Sequence, residues 1–194
     1  MVKYSYVTAY IFGKTEAQQM EKIVERIKQN VHQPLKWENY NNTIVRNNTN
    51  CFSHAIGSTD SSDRSFYRLG VISGKKDIEQ EYFSAKEVKE LFLSDLRVLE
   101  LDAEEILLRD KDEILEHISN MNLQDNQYIV ALFVKTYREW GKMRIRDFHF
   151  LRYDEEKGWS EKRFTQNVIF LNNIKFQWPS SWDDESVGVF VITR

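Results

Sequence analysis

Asn50-Cys51-Phe52-Ser53-His54-Ala55-Ile56-Gly57 holds the only cysteine of the chain and reads as a short helix. Asn50 is a favoured N-cap, Phe52, Ala55 and Ile56 supply an apolar side, and Gly57 can close the last turn in the left-handed conformation. The cysteine then sits in the first turn, where unpaired backbone N–H groups and the positive end of the helix dipole favour thiolate over thiol. That is a place for a nucleophile. A lone cysteine is also commonly a small buried apolar residue, and the stretch by itself leaves both readings open.

A second stretch, about a hundred residues on, bears on the choice. Arg146-Asp147-Phe148-His149-Phe150-Leu151-Arg152-Tyr153 alternates with the period of a strand, which puts His149 on one face with Asp147, Leu151 and Tyr153. Asp154-Glu155-Glu156-Lys157-Gly158 is a turn, and Trp159 to Phe164 is a returning strand, so the two form an antiparallel hairpin. A cysteine at a helix start and a histidine on a strand are the two halves of a thiolate–imidazolium pair.

The remaining sequence frames these two stretches. Val2 to Phe12 is rich in tyrosine and β-branched residues and predicts a first strand. Thr15 and Gln18 form a capping-box signal for an amphipathic helix carrying Met20, Ile23, Val24, Ile27 and Val31 to about Asn30. Gln33 to Asn50 is asparagine-rich and reads as a loop leading to the cysteine. It makes Asn47, Asn48 and Asn50 candidates for oxyanion donors, against the simpler role of satisfying turns. Tyr67 to Gly74 is read as a tight packed loop. Ser84 to Met121 is read as an acidic helical insert, with caps at Ser84 and Asp110 and its acids on a solvated face. Tyr128 to Val134 is a nearly continuous apolar run, as expected of a central strand buried on both faces. Val168 to Leu171 and Val187 to Ile192 are further strands, separated by a loop with Trp178 and Trp182.

Composition narrows the class. A chain of 194 residues with 41% hydrophobic and 13% aromatic residues can bury a core as one domain, 1-194. A net charge of -3 with interspersed signs does not point to nucleic acid as a partner. One cysteine permits no internal disulfide, and no apolar run reaches spanning length or resembles a secretory leader. The expectation is a soluble protein, cytoplasmic or exported without a classical signal. His32 and His117 lack neighbours at metal-ligand spacing, so no zinc site and no cofactor are expected, while oligomeric state is left open.

The cysteine stretch, Gly70-Val71-Ile72-Ser73-Gly74, Asp147 to Arg152 and Gly158-Trp159-Ser160-Glu161-Lys162 together resemble the papain-like cysteine peptidases. The resemblance is narrower to a bacterial group near the NlpC-type cell-wall peptidases, and it covers residues 47 to 75 and 143 to 165. It implies an α+β papain-like core with the cysteine helix packed on an antiparallel sheet. It implies a Cys51/His149 pair acting on an amide bond of a peptide or protein substrate, as peptidase, amidase, deamidase or transglutaminase. The backbone N–H of Cys51 is the natural oxyanion donor in that chemistry. The group usually carries a histidine where this chain has Glu161, and a proline and glycine where Arg163 and Phe164 stand. A carboxylate can orient an imidazole, so Glu161 is the third candidate, against a surface role on the hairpin. His54, three residues after Cys51, is expected to be structural. The rival class is a binding or inhibitory module that keeps the fold without turnover, and a third reading is a secreted effector that modifies a partner protein.

Overall fold

The computed structural model describes residues 14–61, 67–75, 84–108, 110–139, 142–171 and 185–194. Helix α1 (Lys14–Val31) is followed by a 3-10 turn (Trp37–Asn41), α2 (Thr43–Asn48) and the cysteine helix α3 (Cys51–Ile56). Then come α4 (Ala85–Val98), β1 (Asp102–Glu105), α5 (Lys111–Ser119), β2 (Gln127–Glu139), β3 (Lys142–Asp154), β4 (Gly158–Lys162), β5 (Val168–Phe170) and β6 (Glu185–Thr193). The strands make one six-stranded sheet in the order β1-β6-β2-β3-β4-β5, and every pairing is antiparallel. The chain is thus an α+β fold with its N-terminal helices packed on the sheet.

Alternation along the strands divides the core in two. Val130, Leu132, Phe150, Phe190 and Ile192 point to the side of α1, α3 and α4, where Val24, Ile27, Phe52, Ala55, Val88 and Phe92 meet them. Phe52, Phe92 and Phe150 contact one another with ring centroids 5.1 to 6.2 Å apart. Ile129, Ala131, Phe133, Leu151, Val189 and Val191 point to the other side, which α5 covers with Ile114 and Ile118. Burial on both faces is why β2 reads as an unbroken apolar run.

Several expectations are met, and two are redrawn. Helix α1, central β2 and the hairpin of β3 and β4 lie where they are expected, with Tyr153 across from Trp159. Ser84 forms the full capping box with Glu87, and Asp110 caps α5. Residues 33–50, expected as a loop, hold the 3-10 turn and α2, because Asn42 caps α2 by accepting from Ile44 and Val45 N–H. A helix of six residues is too short to leave a periodic signal. Residues 84–121, expected as a helical insert, also contain β1, which pairs with β6 at the sheet edge. The segment therefore lends α4 to one face, α5 to the other and β1 to the rim. Asp-Ala-Glu-Glu has little strand propensity, and a short charged strand of this kind is typical of a protected edge. The predicted first strand, Val2 to Phe12, and the Trp178 to Trp182 loop lie outside the described residues.

Candidate active site

Helix α3 begins as its sequence requires. Asn50 Oδ1 accepts from the N–H groups of Phe52 (3.0 Å) and Ser53 (3.1 Å), and Ser53 Oγ accepts from Asn50 N–H at 2.7 Å, closing a capping box. At the other end Gly57 takes φ 74°, and a side chain there would place its Cβ 2.7 Å from Arg152 Nη1, so glycine is required twice over. Next to the helix, Asp95 of α4 is buried and accepts from Gly70 and Ser73 N–H, both at 2.7 Å, which holds the 67–75 turn in place. Burial pushes the Asp95 carboxyl up to about 7.

The cap serves the N–H groups of Phe52 and Ser53 and leaves that of Cys51 to other partners. Two of the candidate side-chain oxyanion donors, Asn50 and Asn48, are engaged with backbone carbonyls. Asn50 Nδ2 donates to Tyr67 O at 2.7 Å, and Asn48 Nδ2 donates to Ile44 O at 3.1 Å.

His149 and Glu161 come together. His149 Nε2 and Glu161 Oε2 are 3.0 Å apart, and both residues are under a tenth exposed. They sit diagonally across the hairpin, since Leu151 pairs with Glu161 and His149 is two residues further along β3. Arg163 Nη2 reaches the other carboxylate oxygen at 2.9 Å. The hydrogen bond from His149, followed by that from Arg163, holds the Glu161 carboxyl below its ordinary range. An ionised carboxylate only accepts, so His149 Nε2 donates to it.

Cys51 belongs to the opposite side of the sheet. Helix α3 belongs to the Phe150 face, whereas His149 and Glu161 alternate onto the Leu151 face. The Phe150 backbone N–H is one of the groups acting on the thiol. Phe150 is one residue beyond the last β3–β4 pair, Leu151 with Glu161, and the charge of Asp147 is felt there too. Cys51 is thus beside Phe150, the residue that follows His149. It is partly buried. Burial, and after it the Asp147 carboxylate, push the thiol up to about 12, against the pull of the Phe150, Phe52 and Cys51 N–H groups. The helix start does favour the thiolate, as its position predicts, but desolvation outweighs it.

The other histidine of α3 is differently placed. His54 is fully buried, with Nε2 3.0 Å from Ser160 Oγ on β4. Ser160 spends its own proton on Arg152 O at 3.3 Å, so His54 Nε2 is the donor, and its Nδ1 has no partner among the described residues. Burial and then the Arg152 charge drive its pKa well below the ordinary value, and it stays neutral. This matches the structural role expected of it.

Three buried charged groups around the site are not evident from sequence pattern. Arg152 is fully buried, forms a bidentate pair with Asp154 at 2.8 Å and lies 3.7 Å over the Tyr128 ring. Lys162 is fully buried on the α3 side and donates to the carbonyls of Arg46 (3.0 Å), Thr49 (2.9 Å) and Phe164. Asp95 is the third. Strand alternation alone would have turned Arg152 and Lys162 inward, but their residue types argue for the surface.

No group of three or more metal-ligating side chains occurs among the described residues. No helix of the described residues is long and apolar enough to cross a membrane. A cavity of about 740 Å³, lined by His32, Trp37, Asn126, Asp154 and Arg194 among others, opens at the Gly57 end of α3, away from Cys51. Its lining includes none of Cys51, His149 and Glu161. Against known proteins the chain has no match to any family model, curated sequence or solved structure.

Proposed function

We propose that the protein is a cysteine-dependent hydrolase or acyl transferase of papain-like design, acting on an amide bond of a peptide or protein through Cys51 and His149. The observation that carries this reading is the buried His149–Glu161 pair, which orients the imidazole through Nε2 on the strand whose next residue, Phe150, meets Cys51. In the reaction the imidazole takes the Cys51 proton and Sγ attacks the carbonyl carbon. The tetrahedral oxyanion is met by the Cys51 N–H, and the imidazolium, stabilised by Glu161, returns the proton to the leaving amine. Water or a second amine then releases the acyl group. Proton transfer within the pair offsets the cost that burial sets on a lone thiolate.

The test uses p-nitrophenyl acetate. Wild-type protein is expected to release a burst of p-nitrophenol matching the protein concentration, with the acetyl group on Cys51 by mass spectrometry. His149→Ala is expected to slow the burst on the order of a hundredfold, the usual scale of general-base loss. An equal burst in both proteins would remove the enzyme reading. The elevated thiol pKa favours the second reading, a papain-like binding module without turnover, and that module would show no burst in either protein.

A further inference from the structure

We infer that Lys162 is a positioning residue for Cys51, an inference that rests on the function proposed above. Lys162 follows Glu161 on β4, and successive strand residues point to opposite faces. Glu161 therefore reaches His149 on one face, and the Lys162 ammonium passes to the α3 side on the other. There its three N–H groups meet three backbone carbonyls, those of Arg46, Thr49 and Phe164. Arg46 lies in the last turn of α2, where carbonyls left without helical partners and the negative end of the helix dipole favour a cation. Thr49 is two residues before Cys51 and is itself fully buried, its hydroxyl donating to Val45 O at 2.6 Å.

One short strand thus holds both halves of the pair: Glu161 fixes the imidazole, and Lys162 fixes the chain that enters the cysteine helix. The Phe164 carbonyl ties the same ammonium to the residue after Arg163, which holds the far oxygen of Glu161. Phe164 adopts φ 43° with its ring 70% exposed, so burial of its side chain is not what holds that backbone. A hydrophobic residue of similar length at 162 would fill the space and leave three carbonyls unanswered. The cysteine would then no longer be registered against His149.

The experiment is the pH profile of Cys51 alkylation by iodoacetamide, run well below each protein's melting temperature. The proteins are the wild type, Lys162→Met, His149→Ala and the double variant. Val88→Ala is the control for lowered stability alone. Lys162→Met is expected to keep a cooperative melt and to react at least tenfold more slowly than wild type at pH 7. Adding His149→Ala to it is expected to change the rate less than twofold. Val88→Ala is expected to melt earlier with a wild-type profile. A Lys162→Met profile like the wild type's, with His149→Ala still effective, would overturn the positioning role and leave the enzyme reading intact. Wild-type alkylation indifferent to His149→Ala would overturn both. If Lys162→Met does not fold, Lys162→Arg is read in its place, with the tenfold loss again expected. Failure of both variants to fold would make Lys162 a folding residue and end the proposal.

Discussion

The two faces of the β3–β4 hairpin each bury one histidine against one residue of β4, and the two pairs behave differently. On the α3 side His54 meets Ser160, on the α5 side His149 meets Glu161, and both distances are 3.0 Å. Burial first, and then the cationic charges nearest it, hold the His54 ring neutral, and its serine partner is already engaged with Arg152 O. Glutamate is an anion anchored by Arg163, so His149 has a partner that an imidazolium could use. Burial and geometry are alike in the two cases. What differs is the partner, a neutral hydroxyl for His54 and an anchored carboxylate for His149.

The comparison can be tested from its most costly contact to its least. Asp154→Ala leaves the buried Arg152 guanidinium without its bidentate carboxylate, on the face where cations already outnumber acids around His54. The expected loss is about 3 kcal/mol in urea unfolding, within the range for breaking one side of a buried pair. A loss below 1 kcal/mol would mean that Tyr128 and solvent from the neighbouring cavity suffice to hold Arg152.

Glu161→Gln should cost about 2 kcal/mol at pH 7, as for a buried hydrogen bond to a charged group. Its pH dependence follows from direction. The folded carboxyl titrates below its ordinary value of 4.5, so the unfolded state takes up a proton first as pH falls. The stability due to ionised Glu161 is therefore complete above about pH 5 and is lost as pH drops through the depressed folded pKa. Wild type and variant should converge toward pH 3. A gap that persists there would place the effect in packing.

The His54 face should respond at a higher pH. Its folded pKa lies well below the ordinary 6.5, so between the two values the unfolded chain binds a proton that the native one does not. Stability should then fall as pH is lowered through 6.5, with this group adding up to about 1.4 kcal/mol per pH unit. His54→Gln should be less stable at pH 7 and should flatten that slope between pH 6.5 and 5.5. A slope unchanged by the substitution would contradict the assignment of a neutral, buried imidazole.

The legible parts of this fold are those in which one segment carries its own instruction. Asn50, Ser53 and Gly57 start and stop α3 by local bonding, and β2 shows its double burial in consecutive apolar residues. Glu161 is singled out only through the resemblance, at the position where that group carries a histidine, and the hairpin then sets it diagonal to His149. The parts that were not legible depend on distant partners. Helix α2 is held by an ammonium 116 residues away in sequence, and β1 is a strand because β6 lies beside it. The thiol pKa belongs to the same group. Position at a helix start argues for lowering, and only the packed surroundings, with Asp147 nearby, reveal the opposing and larger cost of burial.

The central claim is that the Cys51 thiol and the His149 imidazole act as one acid–base pair, and the rate of Cys51 alkylation from pH 5 to 10 tests it most directly. The account predicts that proton transfer to His149 lets wild-type protein react with iodoacetamide measurably at pH 6 to 7 despite the burial of the thiol, and that His149→Ala moves the onset to higher pH. Two superimposable profiles, both rising only at high pH, would contradict it and leave Cys51 as a packed residue beside Phe150.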